Sequence, residues 1–206
     1  MAEGWWDYPA DKNEKDWFNL GGFSKVQPYL SRHPLIYAMR DEVKPFIRSY
    51  FNSVLSTLNM EDLFLWEHFK AYGGWNCVGM TGYFLEQTRM MFVMERGEEL
   101  WLAPLVTNNW LKDGEKIDVT HMPTNFGPVS YKIRSSVAKG FIEAEIDAPD
   151  RKRPSGIVIR LRHPEGKKIR SVEVNDRVHT DYDPEQDCVK IREFGKKIKI
   201  KAVYKS

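Results

Sequence analysis

Cysteine is scarce in this 206-residue chain, and Cys77 and Cys188 fit no metal-binding or redox spacing. They read as isolated thiols, with a disulfide between them as the alternative. The five histidines (His33, His68, His121, His163 and His179) form no HxH or HxxxH pair, so neither a metal nor a cofactor is expected. No apolar run approaches the roughly 18 residues of a membrane-spanning helix. The first residues, MAEGWWDYPADKNEKDW, show no basic stretch followed by an apolar one, so no signal peptide is legible. Nucleotide-binding and serine-hydrolase signatures (GxGxxG, Walker-type loops, GxSxG) are missing as well. Tryptophan is absent after residue 110, although the first 110 residues hold seven.

What is present divides near residue 114. Residues 1–114 carry 11 basic and 15 acidic side chains, and residues 115–206 carry 20 and 14, so the halves are −4 and +6. The first half has helical spacing. In DEVKPFIRSYFNSVLSTL, Val43, Phe46, Ile47, Tyr50, Phe51, Val54, Leu55 and Leu58 recur at steps of three and four and predict one apolar helix face. Pro34 and Pro45 suit helix starts, where a missing N–H costs least. Asn59, with Asp62 three residues on, predicts the cap of a further helix carrying Leu63, Phe64, Trp66 and Phe69. Thr81 to Gly97 predicts a last helix, apolar on most sides and so buried, with Glu86 either paired to Arg89 or set at a cleft.

The second half switches to period two. IEAEI (142–146), GIVIRLR (156–162), IRSVEV (169–174) and IKIKAVY (198–204) predict strands, separated by Gly-, Pro- and Asn-Asp-containing breakers. Such spacing predicts an antiparallel sandwich or barrel. The lysines of IKIKA are expected on the solvent face, where they would also protect a sheet edge. The expected plan is α+β: a helical region over 1–114, then an antiparallel β-sandwich over 115–206, with Trp101 to Gly114 as the junction.

Chemistry, if any, concentrates in the aromatic first half. The loop AYGGWNCVGMTGYF (71–84) holds four aromatics and four glycines. Trp66, Tyr72, Trp75 and Asn76, with Trp6 and Asp7 of WWDYP, offer aromatic faces beside polar groups, a combination that suits a sugar ring. Glu67 and His68, beside Trp66, form the best polar cluster, because an aromatic wall raises a carboxyl's pKa. Each has an ordinary alternative: the tryptophans as bundle core, and Glu67 with His68 as the wet side of a short helix. The basic residues of the second half are spread among acids, which fits a solvated sheet face rather than a nucleic-acid stripe.

Six phrases carry a family likeness. FNLGGFSKVQPYL, RDEVKPFIRSYFNSV and FLEQTRMMFVMERGEELWL resemble the last helices of six-hairpin, (α/α)6-barrel glycoside hydrolases of bacteria. ELWLAPLVTNNWLKDG, TNFGPVSYKIRSSVAKGFIEAEIDAP and IVIRLRHPEGKKIRSVEVN resemble the β-sandwich that follows such a barrel. The resemblance covers nearly the whole chain. It implies the C-terminal portion of a longer, secreted or periplasmic enzyme that hydrolyses a poly- or oligosaccharide with two carboxylates, its N-terminal portion lying upstream. On the residue chemistry above, the catalytic candidates are Glu67 and His68, and the candidate substrate contacts Trp66, Tyr72, Trp75, Asn76, Trp6 and Asp7. The resemblance also implies a His-Glu phrase in the 71–84 loop, where this chain has Gly79 and Met80 and thus no acid or base. That departure keeps open a second reading, a non-catalytic carbohydrate-binding or interaction module. A nucleic-acid binder is a third.

Overall fold

Proline and left-handed residues punctuate the first of two compact units, Met1–Met90, which precedes Met91–Ser206. The computed structural model describes residues 33–65 and 78–204. Helix α1 spans His33–Arg40 and α2 spans Val43–Thr57, with Pro34 and Pro45 in their first turns as expected. Between them the chain turns through Asp41 at φ 68°, and the Glu42 N–H donates to the Tyr37 carbonyl at 2.9 Å. Helix α3 spans Val78–Phe92, so the boundary between the units falls in its last turn.

The buried stripe of α2 is more polar than its spacing suggested. Phe46, Ser49, Tyr50, Ser53 and Thr57 are buried, whereas Phe51 and Leu55 of the expected apolar face are 47% and 68% exposed. The small hydroxyls are satisfied locally: Ser49 donates to the Phe46 carbonyl and Thr57 to that of Ser53. Tyr50 stacks on Phe84 of α3 with centroids 6.0 Å apart, and its hydroxyl lies 2.8 Å from that of Thr88.

Two helix expectations need correction. No helix starts at Asn59 within the described residues. Asn59 Oδ1 accepts the Glu61 N–H and Asp62 Oδ1 the Phe64 N–H, while Leu63 takes φ 59°. These side chains build a turn closed by the Leu58–Leu65 bridge, because Asn and Asp bond the backbone two residues on as readily as they cap. The helix expected over Thr81–Gly97 starts earlier, at Val78, and ends at Phe92, where Val93–Arg96 becomes strand β1. It is one-sided rather than buried all round: Met80, Gln87 and Met91 are buried, but Val78 and Leu85 are 79% and 60% exposed.

The second unit is built on two sheets. One has the order β1(Val93–Arg96), β2(Glu99–Leu102), β6(Gly156–Arg160), β10(Cys188–Ile191), β9(Tyr182–Asp183). The other runs β3(Lys116–Met122), β4(Val129–Ser136), β5(Phe141–Asp147), β11(Lys197–Tyr204), β7(Ile169–Val174), β8(Arg177–His179). Every pairing is antiparallel except β2 with β6, which is parallel. With the three helices of the described residues, this is an α+β chain.

Alternation sets the core. Ile142, Ala144, Ile146, Ile198, Ile200 and Ala202 of one sheet join Leu100, Leu102, Ile157, Ile159 and Val189 of the other in a single buried cluster. Strand β6 is buried at every position, the terminal Arg160 included. Asn175 and Asp176, at φ 50° and 61°, make the two-residue turn between β7 and β8. Gly127, at φ 113°, leaves room for Arg151, whose Cβ would lie 3.1 Å from an added Cβ.

Of the lysines of IKIKA, strand β11 puts Lys199 on the exposed face and leaves Lys201 half-buried, and the strand guards no edge. It lies between β5 and β7. Its lysines face acids instead: Lys199 pairs in register with Glu145, and Lys201 with Glu143 on one side and Glu173 on the other.

Candidate functional site

Glu67, His68, Trp66, Tyr72, Trp75, Asn76, Trp6 and Asp7 all lie outside the described residues. The described part of the glycine-rich loop begins at Val78, which opens α3, so its second half is the start of a helix. Gly79 is exposed and Met80, only 4% exposed, packs in a cleft with Ser53, Thr57, Leu65 and Gln87. The place where the resemblance implies a His-Glu phrase is thus occupied by a packing residue. Glu86 is exposed and forms no ion pair among the described residues, which corrects the expected pairing with Arg89. A short i, i+3 pair on an exposed helix face contributes too little to be enforced.

The second unit holds a buried guanidinium clasp. Just past β6, Arg162 is 7% exposed and donates to three main-chain carbonyls, those of Val106 at 2.9 Å, Pro104 at 2.8 Å and Ala103 at 3.4 Å. These lie in the segment after β2 that forms no sheet pairs, so the rigid guanidinium fork satisfies acceptors that strands would otherwise satisfy. Burial and the neighbouring Arg160 push Arg162 down to about 9, which leaves it cationic at neutral pH; Asp187 acts in the opposite direction. Arg160 and Arg96 lie over Trp101, with guanidinium carbons 5.5 Å and 4.2 Å from the ring centre.

Beside the clasp, Tyr204 donates to the Leu161 carbonyl at 2.6 Å and its ring lies 5.0 Å from that of His163. His163 Nδ1 accepts the Glu165 N–H at 3.1 Å, a bond that only the unprotonated nitrogen can make. Burial, and then Lys167, hold the imidazole below its ordinary value. Cys188 is a free, buried thiol, which burial pushes up.

Two open recesses mark the surface of this unit. One, of about 470 Å³, lies over the exposed face of the six-stranded sheet and is lined by Lys132, Arg134, Glu143, Glu145, Glu173 and Lys201 among others, with no aromatic ring. Its charges alternate in sign across the strands, so no stripe of one sign forms. The other, of about 440 Å³, lies where the 3-10 turn Asn108–Leu111 meets the start of β3. Its lining includes Trp110 stacked on Phe92, with centroids 5.8 Å apart and planes 23° apart, together with Asn109, Glu115 and Asp118. Asp118 is committed to Arg134, two hydrogen bonds of 3.2 Å that hold its carboxyl below the usual range.

No protein-family model and no curated protein matches the chain. Among solved structures, one described as a glycoside hydrolase is similar over 87% of this chain and 32% of its own, at 10% identity and a TM-score of 0.44. A GH127 β-arabinofuranosidase is similar over 85% of this chain and 30% of its own, at 10% identity and a TM-score of 0.41. The chain spans about a third of the length of these structures.

Two features of the second unit escaped sequence reasoning. Arg160 and Arg162 sit in an alternating run, where an arginine ordinarily faces water; only the apolar density of IVIRLR hinted at burial on both faces. Trp110 was assigned to a junction, although Asn109-Trp110 repeats the amide-beside-indole pairing noticed at Trp75-Asn76.

Proposed function

We propose that this chain is the C-terminal part of a glycoside hydrolase, comprising the last helices of an (α/α)6 barrel and the β-sandwich that follows. The observation that carries the reading is the Arg162 clasp. It joins Arg162 of IVIRLRHPEGK to the carbonyls of Ala103, Pro104 and Val106 of ELWLAPLV. Two of the phrases with family likeness, more than fifty residues apart, therefore meet in one buried arrangement, as expected of residues that specify a shared scaffold rather than a chance string match. The two sheets feeding one core suit a sandwich.

In the complete enzyme, one carboxylic acid protonates the glycosidic oxygen as the bond to the sugar breaks, and a second carboxylate serves as nucleophile or base. Glu67 and His68 are the candidates this chain contributes to polar contacts at the reacting centre. Trp66, Tyr72, Trp75, Asn76, Trp6 and Asp7 are candidates for holding the sugar. The test is a chromogenic aryl-glycoside panel on the longer enzyme with and without Glu67→Gln. We expect hydrolysis by the parent and a fall in kcat of about 100-fold or more in the variant. Unchanged turnover removes Glu67, and no hydrolysis of any glycoside by the parent overturns the reading.

A second reading, a carbohydrate-binding module without catalysis, is favoured by Met80, whose burial puts a packing side chain where the resemblance implies acid-base chemistry. Glycan binding by this chain that Trp75→Ala abolishes, without hydrolysis by the longer protein, would select it.

A further inference from the structure

The recess at Trp110 offers chemistry that the fold does not use. Trp110 and Phe92 form an aromatic wall that is partly rather than fully buried. Among the described residues, the Trp110 indole N–H, the Asn109 side-chain amide and the Glu115 carboxylate make no protein hydrogen bond or ion pair. A donor, a donor-acceptor and an acceptor thus line the same recess as the aromatic pair.

We propose that this recess is a subsite for one ring of a neutral oligosaccharide, an assignment of ligand class that rests on the carbohydrate reading above. The C–H face of a sugar ring stacks on an indole, and its hydroxyls both give and accept hydrogen bonds. Asn109 answers vicinal hydroxyls in both senses, Glu115 accepts, and the indole N–H donates. The recess does not suit an anion: Glu115 and Asp118 face it, Arg134 is spent on Asp118, and Lys116 is the remaining cation. Nor does it suit an apolar ligand, since beyond the aromatic pair only Ile117 is apolar and that residue is 7% exposed.

The experiment is affinity electrophoresis of the 206-residue chain through gels containing arabinoxylan, arabinogalactan or mixed-linkage β-glucan. Retardation by at least one polysaccharide is expected, lost in Trp110→Ala, partly kept in Trp110→Phe, and weakened in Asn109→Ala and Glu115→Gln. The last two variants are exposed and leave the fold intact, so a folding defect in Trp110→Ala does not decide the outcome. No retardation of the parent chain, or retardation indifferent to all four substitutions, overturns the proposal. If the subsite fails while the longer enzyme still cleaves aryl glycosides, the glycosidase reading stands without it. If Trp110-dependent retardation appears and the longer enzyme cleaves none, the subsite stands and that reading falls.

Discussion

Arg162 shows how a single side chain can replace secondary structure. Its guanidinium serves three carbonyls in a segment that forms no ladder. Arg162→Met fills similar space but leaves those acceptors buried and unbonded, so a loss of about 3 kcal/mol is expected in urea unfolding, given the cost of unsatisfied groups. Arg162→Lys recovers only part of it, because an ammonium cannot reach all three.

His163 carries a pH dependence of definite sign. Its folded value is depressed, so the unfolded chain binds the proton more tightly. Its contribution is complete above the ordinary histidine value and is lost as pH falls below it towards the depressed folded value. The melting temperature of the parent should therefore drop between about pH 7 and pH 5, and His163→Gln should flatten that slope. The arginine clasp was invisible in the string of residues because period-two reading assigns alternate positions to water. It cannot show that both faces of β6 are covered.

At the scale of elements, strands were more legible than helices. IRSVEV is β7 to the residue, and the strict alternation of IEAEI and IKIKA survives in the burial of β5 and β11. Alternation reports a local fact, which side of a strand is wet, and needs no knowledge of the neighbours. The order of strands is not local, which is why β11 was expected at an edge and lies inside its sheet. Helix α2 shows the opposite weakness: a 100° apolar arc predicts a buried face, yet Phe51 and Leu55 stand exposed while Ser49 and Ser53 are buried. Under the proposed function, that apolar strip is the seat of barrel helices supplied by the upstream portion. Phe51→Ser with Leu55→Ser should then lower self-association of this chain in sedimentation and change its stability by less than about 0.5 kcal/mol, as surface substitutions do. The same pair should destabilise the longer enzyme.

For the molecule as a whole, the change of period along the chain foretold an α+β architecture with helices before sheets. The compact units divide between Met90 and Met91. Strands β1 and β2, just past that point, are written in VMER and ELWL, four-residue strands too short for a periodicity test. The candidate sugar contacts of the first half rest on residue chemistry alone, because Glu67, His68 and their aromatic neighbours lie outside the described residues.

The central place of β11 also bears on how the second unit is made. Among the described strands it is the last in chain order, yet it joins β5 to β7. Until it emerges, β3-β4-β5 and β7-β8 are separate half-sheets, each with a raw edge and an apolar face. Synthesis therefore passes through a stage in which most of the core residues exist but cannot be sealed. The six-stranded sheet is continuous only with β11 in place, where Lys201 finds Glu143 on one flank and Glu173 on the other.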